Sequence, residues 1–214
     1  MTNGVKFGDK HSITDWDLLM TSKDIGEAIP KTNYLTIEGR DGSIDLTEWA
    51  GEIKYDDRTL TFDFDLFDTN NFWEVKKKIS NYLNGRKLKI ILDQDPNYYY
   101  YGRCVVASSS ISYGIGHFTV QATCDPYKLK LNETNISKSV SPDQTFMLEN
   151  ERKSTMPKVT ATANIVFSFG EKQFSISPET VFESPDFILK EGNNEIKIIS
   201  GTGTLNFSYQ EGAL

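Results

Sequence analysis

The sequence predicts a mainly β protein in two parts, and three observations carry that reading. Long stretches alternate apolar and polar residues with period two, the mark of strands with one buried and one wet face. Residues 68–85 instead repeat their apolar side chains at helical spacing. Composition also shifts near Tyr127: all three Trp and nine of ten Tyr fall within residues 1–127, and a polar run, KLKLNETNISKSVSPDQ, follows. The first part is therefore read as strands with one helix packed on a sheet. The second is read as an antiparallel sandwich of short, regularly spaced strands.

The elements follow in chain order. YLTIEGRDGSIDL (34–46) reads as two short strands joined at Arg40-Asp41-Gly42. In RTLTFDFDLF (58–67), Leu60, Phe62, Phe64 and Leu66 share one face, and Thr61, Asp63 and Asp65 the other. A helix is expected over about 72–84, with Asn71 as its cap, Glu74 at the capping-box position and Gly85 as a left-handed stop. Its Phe72, Val75, Ile79 and Tyr82-Leu83 should face a sheet, with Lys76, Lys77 and Lys78 largely on a solvated arc. Strands are expected at 87–92, 98–106 and 116–123. In the second part, Val159, Ala161, Ala163, Ile165, Phe167 and Phe169 form one unusually long alternation. FSIS, DFILK, NEIKIIS and TLNFSY follow, each bounded by Gly, Pro or Asn turns. The polar run after Tyr127 reads as a connector, with Pro142 in support.

Composition limits the function classes. The chain has 214 residues, 30 acidic against 23 basic, and a net charge of -7. Residues 1–127 carry -5 of this and residues 128–214 carry -2. That balance argues against a broad nucleic-acid surface. A 12% aromatic content argues against disorder. No apolar run approaches the roughly 20 residues of a membrane span. The N-terminal MTNGVKFGDKH lacks an apolar core, so no secretory signal is read and a soluble protein made in the cytosol is expected.

Patterns that carry chemistry are sparse. His11 and His117 have no second ligand at metal-binding spacing, and no phosphate loop or nucleophile motif is present. Neither an enzyme nor a cofactor is expected. Asp93-Gln94-Asp95-Pro96-Asn97 opens like a calcium loop, but Tyr98 and Cys104 stand where Gly and Glu are needed. A plain turn is the better reading. Cys104 and Cys124 are equidistant from Gly114 in an apparent hairpin. The strand parities disagree with direct pairing unless a bulge intervenes, and two free, packed thiols are expected. Tyr98, Tyr99, Tyr100 and Tyr101 alternate two to each face of a strand. They read either as core cover or as an interface with a neighbouring subunit.

Taken together, GSIDLTEWAGEIKYDDRTLTFDFDL, the helix, GRKLKIILDQDPNYYYYGRCVV and CDPYKLK resemble the distal tail protein family of long-tailed siphophages. LKEGNNEIKIISGTGTLNFSYQEGAL resembles the end of that family's galectin-like sandwich. The resemblance implies an N-terminal β-sandwich bearing one helix (residues 1–130) that forms a homohexameric ring. A connector and a C-terminal galectin-like sandwich (residues 131–214) would project outward. It implies a structural protein of the virion tail tip, made in the host bacterial cytoplasm. The ring would join the tail tube protein to a tail-associated lysin or hub protein, with receptor-binding or tape-measure proteins as further neighbours. DNA would pass through as cargo, and there would be no membrane insertion. In such a ring Tyr98–Tyr101 are candidates for the subunit interface. Asp63 and Asp65 are candidates for the lumen wall, with a plain solvated face as the other reading. The chain is too short for a large inserted module and shows no long arm. The alternative function is a cell-wall carbohydrate-binding module acting through the C-terminal sandwich.

Overall fold

The computed structural model describes residues 3–49 and 51–214; Met1, Thr2 and Ala50, which belong to two of the runs read above, lie outside the described residues. The chain divides into two compact units, residues 1–128 and 129–214.

The first unit contains, in chain order, β1 (Val5–Phe7), β2 (Lys10–His11), α1 (Ser12–Trp16), β3 (Leu19–Ile25), β4 (Tyr34–Thr36), β5 (Ser43–Asp45), β6 (Arg58–Leu66), α2 (Phe72–Leu83), β7 (Lys87–Leu92), β8 (Tyr98–Ser112) and β9 (Ile115–Cys124). Seven strands of this unit belong to one sheet, in the order β2-β1-β7-β8-β9-β6-β3, while β4 and β5 pair as a separate two-stranded sheet. The alternation along β6 does what period two requires: Leu60, Phe62, Phe64 and Leu66 are all at most 2% exposed. Three strands separate β1 from β6 in the sheet order. Phe7 of β1 nevertheless meets Phe62 of β6 edge-on, with ring centroids 5.6 Å apart. The sheet therefore folds over itself and supplies both layers of the expected sandwich. Helix α2 closes the core with Phe72, Ile79 and Leu83.

Two details of the helices differ from expectation. Asn71 occupies the N-cap of α2, but its side chain makes no cap hydrogen bond. The short α1 has too few residues to show periodicity. Its start is fixed by His11, whose Nδ1 accepts the Ile13 N–H at 3.2 Å.

The β8–β9 hairpin turns at Tyr113-Gly114, with φ of +51° and +78°, the left-handed pair that a two-residue hairpin turn needs. A register shift between Val106 and Ser108 supplies the missing bulge. It sets Cys104 opposite Ala122 and Cys124 opposite Gly102, so the cysteines share a face without facing each other. Both are free and buried, and burial pushes each thiol pKa up to about 12. A Cβ on Gly102 would run into Cys124 Sγ and stand 2.7 Å from the Thr123 carbonyl oxygen, so the close approach of β9 demands glycine there.

Strand β10 (Lys128–Lys130) leads into the second unit, which contains β11 (Thr134–Val140), β12 (Thr145–Asn150), β13 (Lys158–Ala161), β14 (Ile165–Phe169), β15 (Lys172–Ile176), β16 (Gly192–Ser200), β17 (Gly203–Tyr209) and β18 (Gly212–Ala213). Two antiparallel sheets, β11-β17-β13 and β12-β16-β14-β15, enclose one core. Three sequence readings are corrected here. The polar run after Tyr127 is not a plain connector, because β11 pairs with β17 from Thr134–Tyr209 to Val140–Gly203. The long alternation 159–169 is two strands, β13 in one sheet and β14 in the other. It runs on unbroken because both sheets face the same core. DFILK is not a strand; Leu189 makes an isolated bridge to Thr155.

Glu211 is the buried charge of this unit, 5% exposed. Its Oε1 accepts from Lys130 Nζ at 2.7 Å and from the Thr134 hydroxyl, and its Oε2 accepts the Glu151 N–H at 3.1 Å. Burial alone would raise the carboxyl's pKa. The Lys130 ammonium and the Thr134 hydroxyl outweigh that and hold it below the ordinary 4.5.

Candidate functional site

Strand β8 opens with the four tyrosines. Its pleat sends Tyr98 and Tyr100 to the side of Gly102 and Cys104, and sends Tyr99 and Tyr101 to the other. Tyr100 joins the core and Tyr99 is equally buried, each 7% exposed, whereas Tyr101 is 37% exposed. Every ring has a cation over it: Lys128 over Tyr98 at 4.7 Å, Lys89 over Tyr99 at 4.4 Å, Arg58 over Tyr100 at 5.5 Å and Lys87 over Tyr101 at 4.8 Å. Such contacts stabilise by about 0.5–2 kcal/mol each. Much of this aromatic surface is thus spent inside the chain itself, and Tyr101 is the most exposed of the four.

The acidic turn before β8 is likewise committed to the fold. Asp93 accepts the Gly4 N–H at 3.0 Å and pairs with His11 Nε2 at 3.0 Å. Asp95 pairs with Lys128 Nζ at 2.8 Å. Among the described residues no group of His, Cys, Asp and Glu could hold a metal ion.

Asp63 and Asp65 lie half-buried on the outer face of β6. Asp63 accepts from Ser22 Oγ at 2.7 Å and from Thr119 Oγ1 at 2.8 Å, while Asp65 meets His117 Nδ1 at 2.7 Å. With Ser108 and Ser110 of β8 in register beside Thr119 and His117, this face is a bare, hydroxyl-rich sheet surface. The structure brings both carboxylates to one wet face and gives each its own partners.

Sequence reading did not single out several large apolar side chains that the fold leaves exposed. Residues 26–57 leave the sheet after Ile25 and return at Arg58, and Ile29, Tyr34, Leu35, Ile37 and Trp49 on that excursion are exposed. At the other end of β6, Phe67 and Trp73 are exposed beside the fully exposed Tyr113 of the hairpin turn. The signal in the sequence is indirect: these rings fall outside any sustained period of 2 or 3.6.

Residues 13–124 match the family model of the phage tail protein RIFT-related domain. The chain belongs to that family. The matched span runs from α1 to the last residue of β9. This phage tail protein also shares its fold with the Dit protein (gp 19.1) of phage SPP1, which is described as a paradigm of the hub adsorption apparatus in phages infecting Gram-positive bacteria. The TM-score is 0.69 at 17% identity, and the alignment covers 98% of this chain and 99% of that one. No protein of curated function matches this phage tail protein in sequence.

Proposed function

We propose that this phage tail protein is the structural hub of the tail tip, six copies forming a ring through residues 1–130. The ring joins the tail tube protein to a tail-associated lysin or hub protein, and DNA crosses it as cargo. Receptor-binding and tape-measure proteins are its further neighbours. The observation that carries the reading is coverage. The shared fold with Dit takes in both units, whereas the family model ends with the first. A ring subunit must also make contacts on several sides, which agrees with exposed aromatic side chains at both ends of β6. Tyr101 is assigned to the subunit contact with its neighbours Tyr98–Tyr100 as support. Asp63 and Asp65 are assigned to the lumen, where negative charge repels the passing phosphate backbone.

Sugar binding by the second unit draws no support from its geometry. Every Phe of that unit, and Tyr209, packs into its own core. The groove of about 460 Å³ on its outer sheet face is lined by Asn135, Ser137, Lys158, Thr160 and Asn206, without an exposed ring for a sugar to stack on.

Negative-stain imaging with light scattering tests the hub reading. Rings are expected, alone or on tails, and a stable monomer that never joins tails would overturn it. Truncation after Lys130 tests the division of labour. The fragment should still form rings; a soluble monomeric fragment beside ring-forming full-length protein would reassign the ring contact.

A further inference from the structure

We infer that His11 is a proton-responsive clasp: its neutral ring caps helix α1, and its protonated ring releases the helix. The device lies within a single chain and works whether or not copies assemble.

The ring sits where three segments of the first unit meet. It closes β2 and caps α1, its Nδ1 accepting the Ile13 N–H at 3.2 Å. Its Nε2 lies 3.0 Å from Oδ1 of Asp93, just past β7. Asp93 Oδ2 in turn accepts the N–H of Gly4, just before β1, at 3.0 Å. The chain before β1 is shaped to the ring. A Cβ on Gly4 would stand 2.5 Å from His11 Cε1 and 2.8 Å from Nε2, so glycine is what lets the backbone pass this close. The side chains of His11 and Asp93 are 20% and 23% exposed, which leaves the pair within reach of a solvent proton.

These contacts settle where the hydrogen is. An amide N–H can only donate, so Nδ1 is the acceptor and Nε2 carries the hydrogen that goes to Asp93. Protonation puts a second hydrogen on Nδ1. That hydrogen confronts the Ile13 N–H, donor against donor, and the cap is lost. The bond from Nε2 to Asp93 becomes charge-assisted at the same moment and pins the ring, so it cannot turn away and let another pose restore the cap. The charged groups around the ring are Asp93 from β7, Asp15 from α1, Lys6 in register opposite on β1, and Lys10 of β2. Lys10 is paired to Asp15 at 2.9 Å.

Helix α1 depends on this cap. Its five residues, Ser12–Trp16, are too few to hold a helix by themselves. Asp15 Oδ2 adds one tie, accepting the His11 N–H at 2.9 Å, but that bond leaves the Ile13 N–H unmet. At the far end of the helix Trp16 packs between β1 and α2, its ring 6.1 Å from Phe7 and 5.7 Å from Tyr82. Loosening α1 therefore loosens the plug between the first strand and the long helix. Loss of an N-cap contact weakens a helix by about 2–30-fold.

Hydrogen exchange followed by NMR on the full-length protein reads the cap directly. Protection of the Ile13 N–H, relative to its unstructured rate at each pH, should fall about fivefold between about pH 8 and pH 5, where imidazoles charge. His11→Asn keeps a side chain that caps but does not titrate, so its protection should stay level. Asp93→Asn removes the partner of the charged ring and should move the fall to lower pH. With the exposed Trp49 and Trp73 both changed to Phe, Trp16 emission should become more open to acrylamide over the range in which the cap is lost. Level protection in the wild type overturns the clasp, as does a His11 ring whose proton shifts show no titration in that range. A fall that persists in His11→Asn places the response elsewhere, His117 being the other histidine, and overturns it too. So does an Asp93→Asn variant that responds at the wild-type pH, or a Trp16 that stays shielded while the cap is lost. If His11→Asn fails to fold, His11→Ser, a second cap that does not titrate, takes its place under the same expectation.

Discussion

Replacing Glu211 by alanine should destabilise the second unit by about 2 kcal/mol. Removing one partner of a buried ion pair generally costs about 3–5 kcal/mol, because the other charge is left stranded. Here the stranding is partial. The Lys130 side chain is 32% exposed and keeps Glu151 at 3.2 Å as a second carboxylate. What disappears is the 2.7 Å pair to Lys130 together with the acceptors for Thr134 and the Glu151 N–H, which sets the lower figure. In a unit of this size about 2 kcal/mol corresponds to a fall in Tm of about 8–16 °C. The protein supplies its own control, since all three Trp lie in residues 1–127. Thermal unfolding followed by far-ultraviolet circular dichroism should show a transition moved by that amount, while Trp fluorescence holds its midpoint. A circular dichroism transition moved by less than about 2 °C would refute the accounting. A Trp transition that moves as far would refute the claim that Glu211 acts within its own unit.

Three further outcomes are expected. Because the folded Glu211 carboxyl titrates below its ordinary 4.5, its contribution is complete above that pH and is lost as the pH falls through the folded value; acid titration of Tm below about pH 4.5 should be steeper for wild type than for Glu211→Gln, and equal slopes would count against it. Gly102→Ala should lower the stability of the first unit by about 1–3 kcal/mol in Trp-monitored urea unfolding; Cys124→Ala should not restore it in full, since the Thr123 carbonyl still stands 2.7 Å from the added Cβ, and an alanine variant as stable as wild type would contradict this. Cys104 and Cys124, with thiols pushed up to about 12 by burial, should resist a disulfide reagent near neutral pH in the folded protein and react once urea unfolds it; prompt labelling of the native state would disprove their burial.

Where one face is buried and the other wet, the sequence declares the strand, and β6 is the clearest case: spacing alone puts Leu60, Phe62, Phe64 and Leu66 on the buried side. The same rule is blind to which sheet a strand joins. Val159 to Phe169 keep one parity across a change of sheet, because both layers bury toward a common core. The parity of Val105, Ala107 and Ile111 conflicts with that of Phe118, Val120, Ala122 and Cys124 across the hairpin and so implies a bulge, but period two cannot locate it. Burial of Tyr99 and Tyr100 depends on cations brought from β6 and β7, Arg58 and Lys89, which local pattern does not report. The exposure of Trp49 and Trp73 is equally hidden. A Trp in a mixed stretch reads as core material until the tertiary fold shows that nothing covers it.

The pairing of β11 with β17 carries a consequence for the timing of synthesis. Thr134 finds its partner in Tyr209, so the strand that emerges first waits for nearly the whole unit to be translated. At about 5–20 residues per second that wait is about 4–15 s. Throughout it β11 has two open edges, the state most prone to pair with the wrong chain. Its composition suits the delay: TNISKSV carries Ile136 and Val140 toward the core, with Lys138, Asn135 and two serines among the rest. The polarity that made this stretch read as a connector is what keeps a nascent strand soluble until its partner leaves the ribosome.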